Sequence, residues 1–599
     1  MTRFLTILII FLTGLTACSD SGKPSPGEAK TVYRYAMDGA PSSLDPAQAA
    51  VIYANFLITN LYDTLYRYKY LARPYELAPN LATAMPEISS DGLTYTIQIK
   101  SGVHFIDDES FPGGHGREVV AEDFVYSIKR HFDPKVRAQG AWLWQGRIVG
   151  LDEWKAAGAD YSAPIVGLQA IDRYTIQIRL TKPYPQLVHT LGQGFAALMP
   201  REAVEYYGRE ITVRPVGSGP FKLVSFTSAK AVLVRNDNFR QEAFDLEYEG
   251  FDPTVHGFSE VQGLAGQAPP LVDQLEVHFV VEDAARWNAF ISDELDYIRA
   301  PAIQFDSILA SRDPVTPLPE IAAKYHVLTP LEAGFVHIDF NMDDPAIGYH
   351  QDAAQNSRNK ALRCAIIKAF DWQARNNAIY YDIARVFPGI IPPVAPEFDP
   401  DLSPESVTRD LAGAKALLVE HGWTEDQLPT LTYGFQAGVT QRQMYEQLRS
   451  FLGEIGYPSE KIKAMTYATF GDFNKAYKQR QVMLIPTGWN MDFPDAENTI
   501  QLFYGPNETP GSNNANFRND QFDRLYEQSA VMQESPERTD LYRRMNQIVI
   551  DECASITGLS RTMVLMWNKR AIAYPDRSFV SGFAARFAAI RQAAESDDG

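Results

Sequence analysis

The chain has 599 residues and a formal net charge of −19, with 45% hydrophobic and 22% charged residues. That is the balance of a folded globular protein with apolar mass for about two or three cores, and it excludes a disordered polymer. The acidic excess repels nucleic acid at long range and argues against it as a partner, and after the first residues no apolar run is long enough to span a membrane.

In chain order, Arg3 precedes an almost unbroken apolar run from Phe4 to Leu12, and Leu15-Thr16-Ala17-Cys18 follows. Order and length are those of a secretory leader, residues 1–18, whose apolar part is too short to anchor in a bilayer. Its end resembles a bacterial lipobox, so Cys18 is expected to become the lipidated first residue of the mature protein. Several acyl chains at about 0.8 kcal/mol per buried CH2 form a stable tether and place everything after Cys18 outside the cytoplasm. Asp20 resembles the signal that keeps Gram-negative lipoproteins at the inner membrane. The expected location is the periplasm, with residues 19–30, rich in Ser, Pro and Gly, as a flexible leash.

Two segments then echo each other. Thr94 to Ile99 after Ser89-Ser90-Asp91-Gly92, and Tyr174 to Arg179 after Asp172-Arg173, both read as a turn followed by a half-buried strand. Between them, Ala121 to Ile128 reads as a helix with acids in its first turn. Gly217-Ser218-Gly219-Pro220 is a tight turn before a strand from Phe221 to Phe226, and 242–270, without clear period, is expected to be a loop-rich surface insertion. Leu411 to His421 and the stripe Met444, Leu448, Phe451, Leu452 and Ile455 are helices ended by Gly422 and Gly456. Each precedes a strand-like run, Leu431 to Phe435 and Val482 to Ile485, and the alternation predicts α/β domains with covered sheets.

Enzyme signatures are missing. There is no HExxH, GxxxxGK or GxSxG, and the ten histidines never stand at metal-ligand spacing, so no metal, cofactor or catalytic residue is expected. Paired acids for glycoside hydrolysis stay open, because their separation is a tertiary property. Cys364, in a helical pattern, and Cys553 are either buried free thiols, the plainer reading, or one disulfide in an oxidising compartment. The informative cluster comes late: Gly488-Trp489-Asn490-Met491-Asp492-Phe493-Pro494-Asp495 follows the Val482 to Ile485 run, where strands of α/β folds give way to ligand-binding loops. Packing for Trp489 and turn or cap roles for the acids are the alternative reading.

Several weak segments occur in a fixed order: Leu44-Asp45-Pro46, Leu61-Tyr62-Asp63-Thr64-Leu65, Leu77-Ala78-Pro79-Asn80-Leu81-Ala82, Ala121-Glu122-Asp123-Phe124, Val216 to Phe221, Arg363 to Asp371, the tryptophan-acid cluster, and Asn516 to Asp523. Together, behind a lipobox, they resemble the large solute-binding proteins of ABC importers, the oligopeptide- and dipeptide-binding family (extracellular solute-binding protein family 5). The resemblance implies an α/β fold of two lobes closing on a ligand, with an extra subdomain on the first. Lobe I is expected at 31–67, 206–328 and 556–599, the subdomain at 68–205 and lobe II at 329–555. It also implies capture of peptides or peptide-like solutes for a membrane permease by a monomer without catalysis. In peptide-binding members the acid of a Trp-x-x-Asp pattern holds the ligand's ammonium; that position is Asp492 here, with Trp489 walling the pocket and Asn490 and Phe493 beside them. Asp495 is the rival acid, expected to be solvated after Pro494. Non-peptide cargo (an oligosaccharide, a metal chelate, haem or an antibiotic) is the alternative within the family; a hydrolase or chaperone is the alternative outside it.

Overall fold

The computed structural model describes residues 30–48, 51–575 and 582–591, so Cys18, Asp20 and all of the leash but Lys30 lie outside the described residues. Helices and strands alternate as the sequence predicts, and three larger sheets organise the chain. A seven-stranded mixed sheet has Val32–Met37 at its centre, parallel to both Gln274–Phe279 and Tyr297–Arg299. A six-stranded sheet runs in the order Arg385–Val386, Ser555–Ser560, Gly334–Phe340, Leu484–Asn490, Leu431–Gln436, Ile462–Tyr467. Because Ser555–Ser560 pairs with Gly334–Phe340, this sheet continues past the boundary expected at 555.

The echoing segments are each other's partners. Thr94–Gln98 and Thr175–Arg179 pair antiparallel in a four-stranded sheet with Tyr95 opposite Ile178 and Ile97 opposite Ile176. All four side chains are buried on one face, beneath the Ala121–Phe132 helix. The first turn of that helix is capped from within: Val120 N–H donates to Asp123 Oδ2 (2.9 Å), and Arg117 holds the same carboxylate by two hydrogen bonds. One apolar core joins this small sheet to the seven-stranded sheet, and a second core is built on the six-stranded sheet with Leu362, Ile366, Leu448 and Met545 from its covering helices.

The Gly217-Ser218-Gly219-Pro220 turn is a point of close approach. A Cβ on Gly217 would lie 2.1 Å from Leu61 O and one on Gly219 2.6 Å from Leu61 C, so only glycine lets the turn rest on the end of the Ile52–Leu61 helix.

One expectation is refined and one is corrected. Segment 242–270 is loop-rich and largely exposed but not a loose extension: Phe244, Val261 and Leu264 are buried against Tyr70, Tyr574 and Phe587, and buried Glu249 holds Arg67 and the Tyr70 N–H. Its apolar residues are spaced irregularly because short helical turns, Pro253–His256 and its successors, carry them instead of one periodic element. The cysteines are not free thiols: Cys364 and Cys553 are joined, with Cα atoms 5.2 Å apart across 189 residues of chain. The bridge ties the Ala353–Ala369 helix to the turn after Pro536–Asp551, and closing so long a loop contributes about 5 kcal/mol on the chain-entropy account.

Candidate functional site

Two crossings of the chain connect the seven- and six-stranded sheets, and they run side by side. Glu332 N–H donates to Arg561 O (2.8 Å), Met563 N–H donates to Pro330 O (2.9 Å), and Leu331 and Thr562 form an antiparallel bridge. The Glu332 carboxylate accepts from Arg561 Nε (2.6 Å) and from Arg299 (2.5 Å), so the ribbon is also held by charge.

A cavity of about 780 Å³ opens between the sheets beside this ribbon. Tyr35, Asp38, Tyr53, Tyr297 and Arg299 line it from the seven-stranded side; Glu332, Tyr380, Asn490, Asp492 and Arg561 line it from the other. A second cavity, about 370 Å³, lies against the six-stranded sheet, and Glu332, Tyr380, Asn490 and Arg561 line both. Its walls are largely aromatic: Phe335, Trp372, Tyr433, Phe435 and Trp489.

The tryptophan-acid cluster is brought to this junction, though not as a loop throughout. The strand spans Leu484–Asn490, so Trp489 and Asn490 are strand residues opposite Phe335 and Gly334, and the loop begins at Met491. Trp489 is half-buried on the second cavity and Asn490 is exposed between the two. Asp492 reaches the larger cavity. Phe493 does not line either one: it is buried and its ring stacks on His189, centroids 5.5 Å apart, with His189 in turn bonded to Tyr68 Oη (2.8 Å).

Asp495 is a correction to the solvated reading. It is buried, paired with the equally buried Arg538 at 2.9 Å, and accepts from Gln186 Nε2 (3.2 Å) and the Glu497 N–H (2.9 Å). Glu397 stands beside this pair, its carboxyl pushed up to about 8 by burial and by the Asp495 charge. Pro494 turns the chain inward to this cluster, which spends Asp495 on internal structure and leaves Asp492 as the acid facing the cavity.

Burial pushes the Asp492 carboxyl up to about 6, and the Asn498 amide offsets this only in part. Among the described residues no cation pairs with it. Asn498, which the sequence reading missed, organises the cluster: its Oδ1 accepts from Trp489 Nε1 (2.8 Å) and from the Asp492 N–H (3.0 Å), while its Nδ2 donates to Asp492 Oδ2 (3.2 Å). Gln193, also missed, donates from Nε2 to Asp492 O (2.5 Å). Six residues separate Asn498 from Asp492, so an amide in an otherwise apolar and acidic turn was a usable signal; for Gln193, 299 positions away, there was none. Across the cavity, burial and the Asp38 carboxylate push the Tyr53 hydroxyl up to about 12. The remaining lining charges are matched, Asp283 with Arg286 and Glu332 with Arg299 and Arg561, which leaves Asp38 and Asp492 without cationic partners among the described residues. The same residues contain no group of three or more His, Cys, Asp or Glu placed to hold a metal ion, and no helix long and apolar enough to cross a membrane.

Known proteins share this architecture along nearly the whole chain. The chain is 23% identical over 562 residues to heme-binding protein A of Haemophilus influenzae, covering 89% of each. It is 22% identical over 540 residues to the dipeptide-binding protein of Escherichia coli, covering 88% of this chain and 89% of that one. The solved structure of the ABC transporter-associated periplasmic binding protein DppA from Helicobacter pylori, in complex with peptide STSA, superposes with a TM-score of 0.68 at 20% identity, over 94% of this chain and 99% of that one. The family model for the bacterial extracellular solute-binding proteins, family 5, matches residues 76–511. With two sheet-centred halves, paired crossings and a cavity between them, the chain belongs to the bacterial extracellular solute-binding proteins of family 5.

Proposed function

We propose that this protein is the receptor of an ABC importer, binding peptides or peptide-like solutes with a free ammonium group between its halves and delivering them unchanged to a membrane permease. One observation carries the reading: Asp492 is a desolvated carboxylate on the cavity wall with no internal cation. An ammonium seated there recovers the cost of that desolvation, and losing such a pair costs about 2 to 5 kcal/mol. The names of the relatives support a peptide; Asn490 lines the same cavity as the acid, and Trp489 walls the smaller cavity next to it rather than the acid's own. In this reading Cys18 carries the lipid that holds a monomeric receptor beside its permease in the periplasm, Asp20 retains it at the inner membrane, and the lobes meet at the paired crossings 329–333 and 561–563, with 68–205 as the subdomain.

Titration calorimetry with one tripeptide, free and N-acetylated, tests it. The wild type is expected to prefer the free amine strongly and Asp492→Asn to lose that preference; equal binding of both peptides by the wild type would remove the ammonium assignment. A second reading is favoured by the aromatic walls of the smaller cavity, which suit a flat apolar solute of the class named in the Haemophilus influenzae relative. A Soret shift on mixing with haemin, and no heat with peptides, selects that reading.

A further inference from the structure

The smaller cavity holds a charge that an ammonium site does not explain. Arg375, in the Trp372–Tyr380 helix, lines it and is only 3% exposed. Its Nε donates to Gln447 Oε1 (2.7 Å), one Nη donates to Met444 O (2.8 Å), and the guanidinium lies 5.0 Å over the Phe370 ring. No carboxylate pairs with it among the described residues; the Tyr433 hydroxyl is hydrogen-bonded to it, the Tyr380 hydroxyl stands near, and burial holds its pKa below the usual arginine value.

Two other deeply buried arginines are compensated by acids. Arg130 is paired with Asp45 and Arg538 with Asp495. Arg363 lacks an acid but donates to three carbonyls, of Cys553, Ile347 and Glu552, and lines neither cavity. Arg375 alone among these four has a cavity where a counter-ion belongs. A guanidinium is planar, permanently charged and suited to two-point recognition of a carboxylate, and one buried without an anion is costly. Aromatic rings dominate the walls around it, with Gln436, Gln441 and Thr487 among them, so an anion carried on a body that buries well against rings fits the cavity.

We propose that the smaller cavity is a binding site for a carboxylate carried on an aromatic or apolar group, with Arg375 as counter-ion and Phe335, Tyr433, Phe435 and Trp489 as walls. The inference rests on reading the cleft as a solute site, but not on the role of Asp492. Its two sources of anion, the terminal carboxylate of a peptide and the acid of a non-peptide solute, share this chemistry.

Calorimetry on the full chain with 3-phenylpropionate and its uncharged amide, 3-phenylpropanamide, tests the proposal. The acid is expected to bind the wild type at least about tenfold more tightly, the loss expected when a charged hydrogen-bond partner is removed. Arg375→Gln should abolish the difference, Arg375→Lys should keep most of it, and Asp492→Asn should leave it intact. A wild type that binds neither fragment, or binds both alike, overturns the proposal, as does a preference that survives in a folded Arg375→Gln. The wild-type comparison stands even if that variant does not fold. A free-amine tripeptide ending in Phe, compared with its C-terminal amide, assigns the source: preference for the acid points to a peptide terminus, and no preference alongside intact fragment discrimination points to a non-peptide acid. Because Asp492→Asn is read separately, loss of the ammonium reading and loss of this one give different patterns.

Discussion

Lowering the pH should switch off ammonium capture at Asp492 while leaving the fold in place. The carboxyl is raised from the ordinary 3.8 to about 6, chiefly by desolvation. A rise of about two pH units corresponds to about 3 kcal/mol held against the ionised form. The sign follows from linkage. A raised carboxyl costs stability when ionised, so the penalty is full above about pH 6 and is relieved as pH falls toward the unfolded value. A bound ammonium pulls the pKa back down, so binding below pH 6 must first expel the proton. Affinity for a free-amine peptide should therefore be flat above that pH and fall by up to about tenfold per unit beneath it. Calorimetry in buffers of different ionisation enthalpy reads both the affinity and the proton released. Asp492→Asn should bind weakly with no slope, and in the unliganded state it should be more stable at neutral pH by up to about 3 kcal/mol. A flat wild-type profile between about pH 7.5 and 4.5 refutes the reasoning, as does a slope retained in the variant.

Two further perturbations address the scaffold of the site. Asn498→Ala strands the Trp489 indole N–H and the Asp492 N–H without their acceptor, so each loss should cost about 1 to 3 kcal/mol; weakened peptide binding and a changed Trp489 emission are expected, and unchanged affinity would show that Asn498 is not needed to hold the acid. Arg538→Met leaves Asp495 buried beside Glu397 with no cation, and should lower stability by about 3 to 5 kcal/mol at neutral pH, less in acid as the freed Asp495 carboxylate takes up a proton. Urea unfolding at two pH values measures it, and a deficit that does not shrink on acidification contradicts the charge account.

The sequence made the α/β pattern legible where local signals agreed with tertiary ones. Ala121–Phe132 has its acids and its apolar face, and Leu431–Gln436 has an apolar run before a helix. It misled at Leu484–Asn490, because Pro486 and Gly488 are poor strand residues; pairing with Ile338 and Val336 overrides their propensity. It misled at Asp495 too, since a loop carboxylate reads as solvated until Arg538, 43 positions later, is seen to be folded onto it. One local motif carries Asp492, Trp489 and Asn490 to the cavity walls, whereas the approach of Gln193 and Arg375 to the same region is visible only in the folded chain.

The Cys364–Cys553 bridge also bears on the order of events in the life of the chain. Both cysteines belong to the body that carries Asp492, and neither crosses to the seven-stranded half. Oxidation therefore stiffens the half built on the six-stranded sheet and puts no restraint on the ribbon that joins the halves. A chain made in a reducing cytosol is expected to carry the same cavities on a looser frame, and to reach full rigidity only where an oxidant meets it.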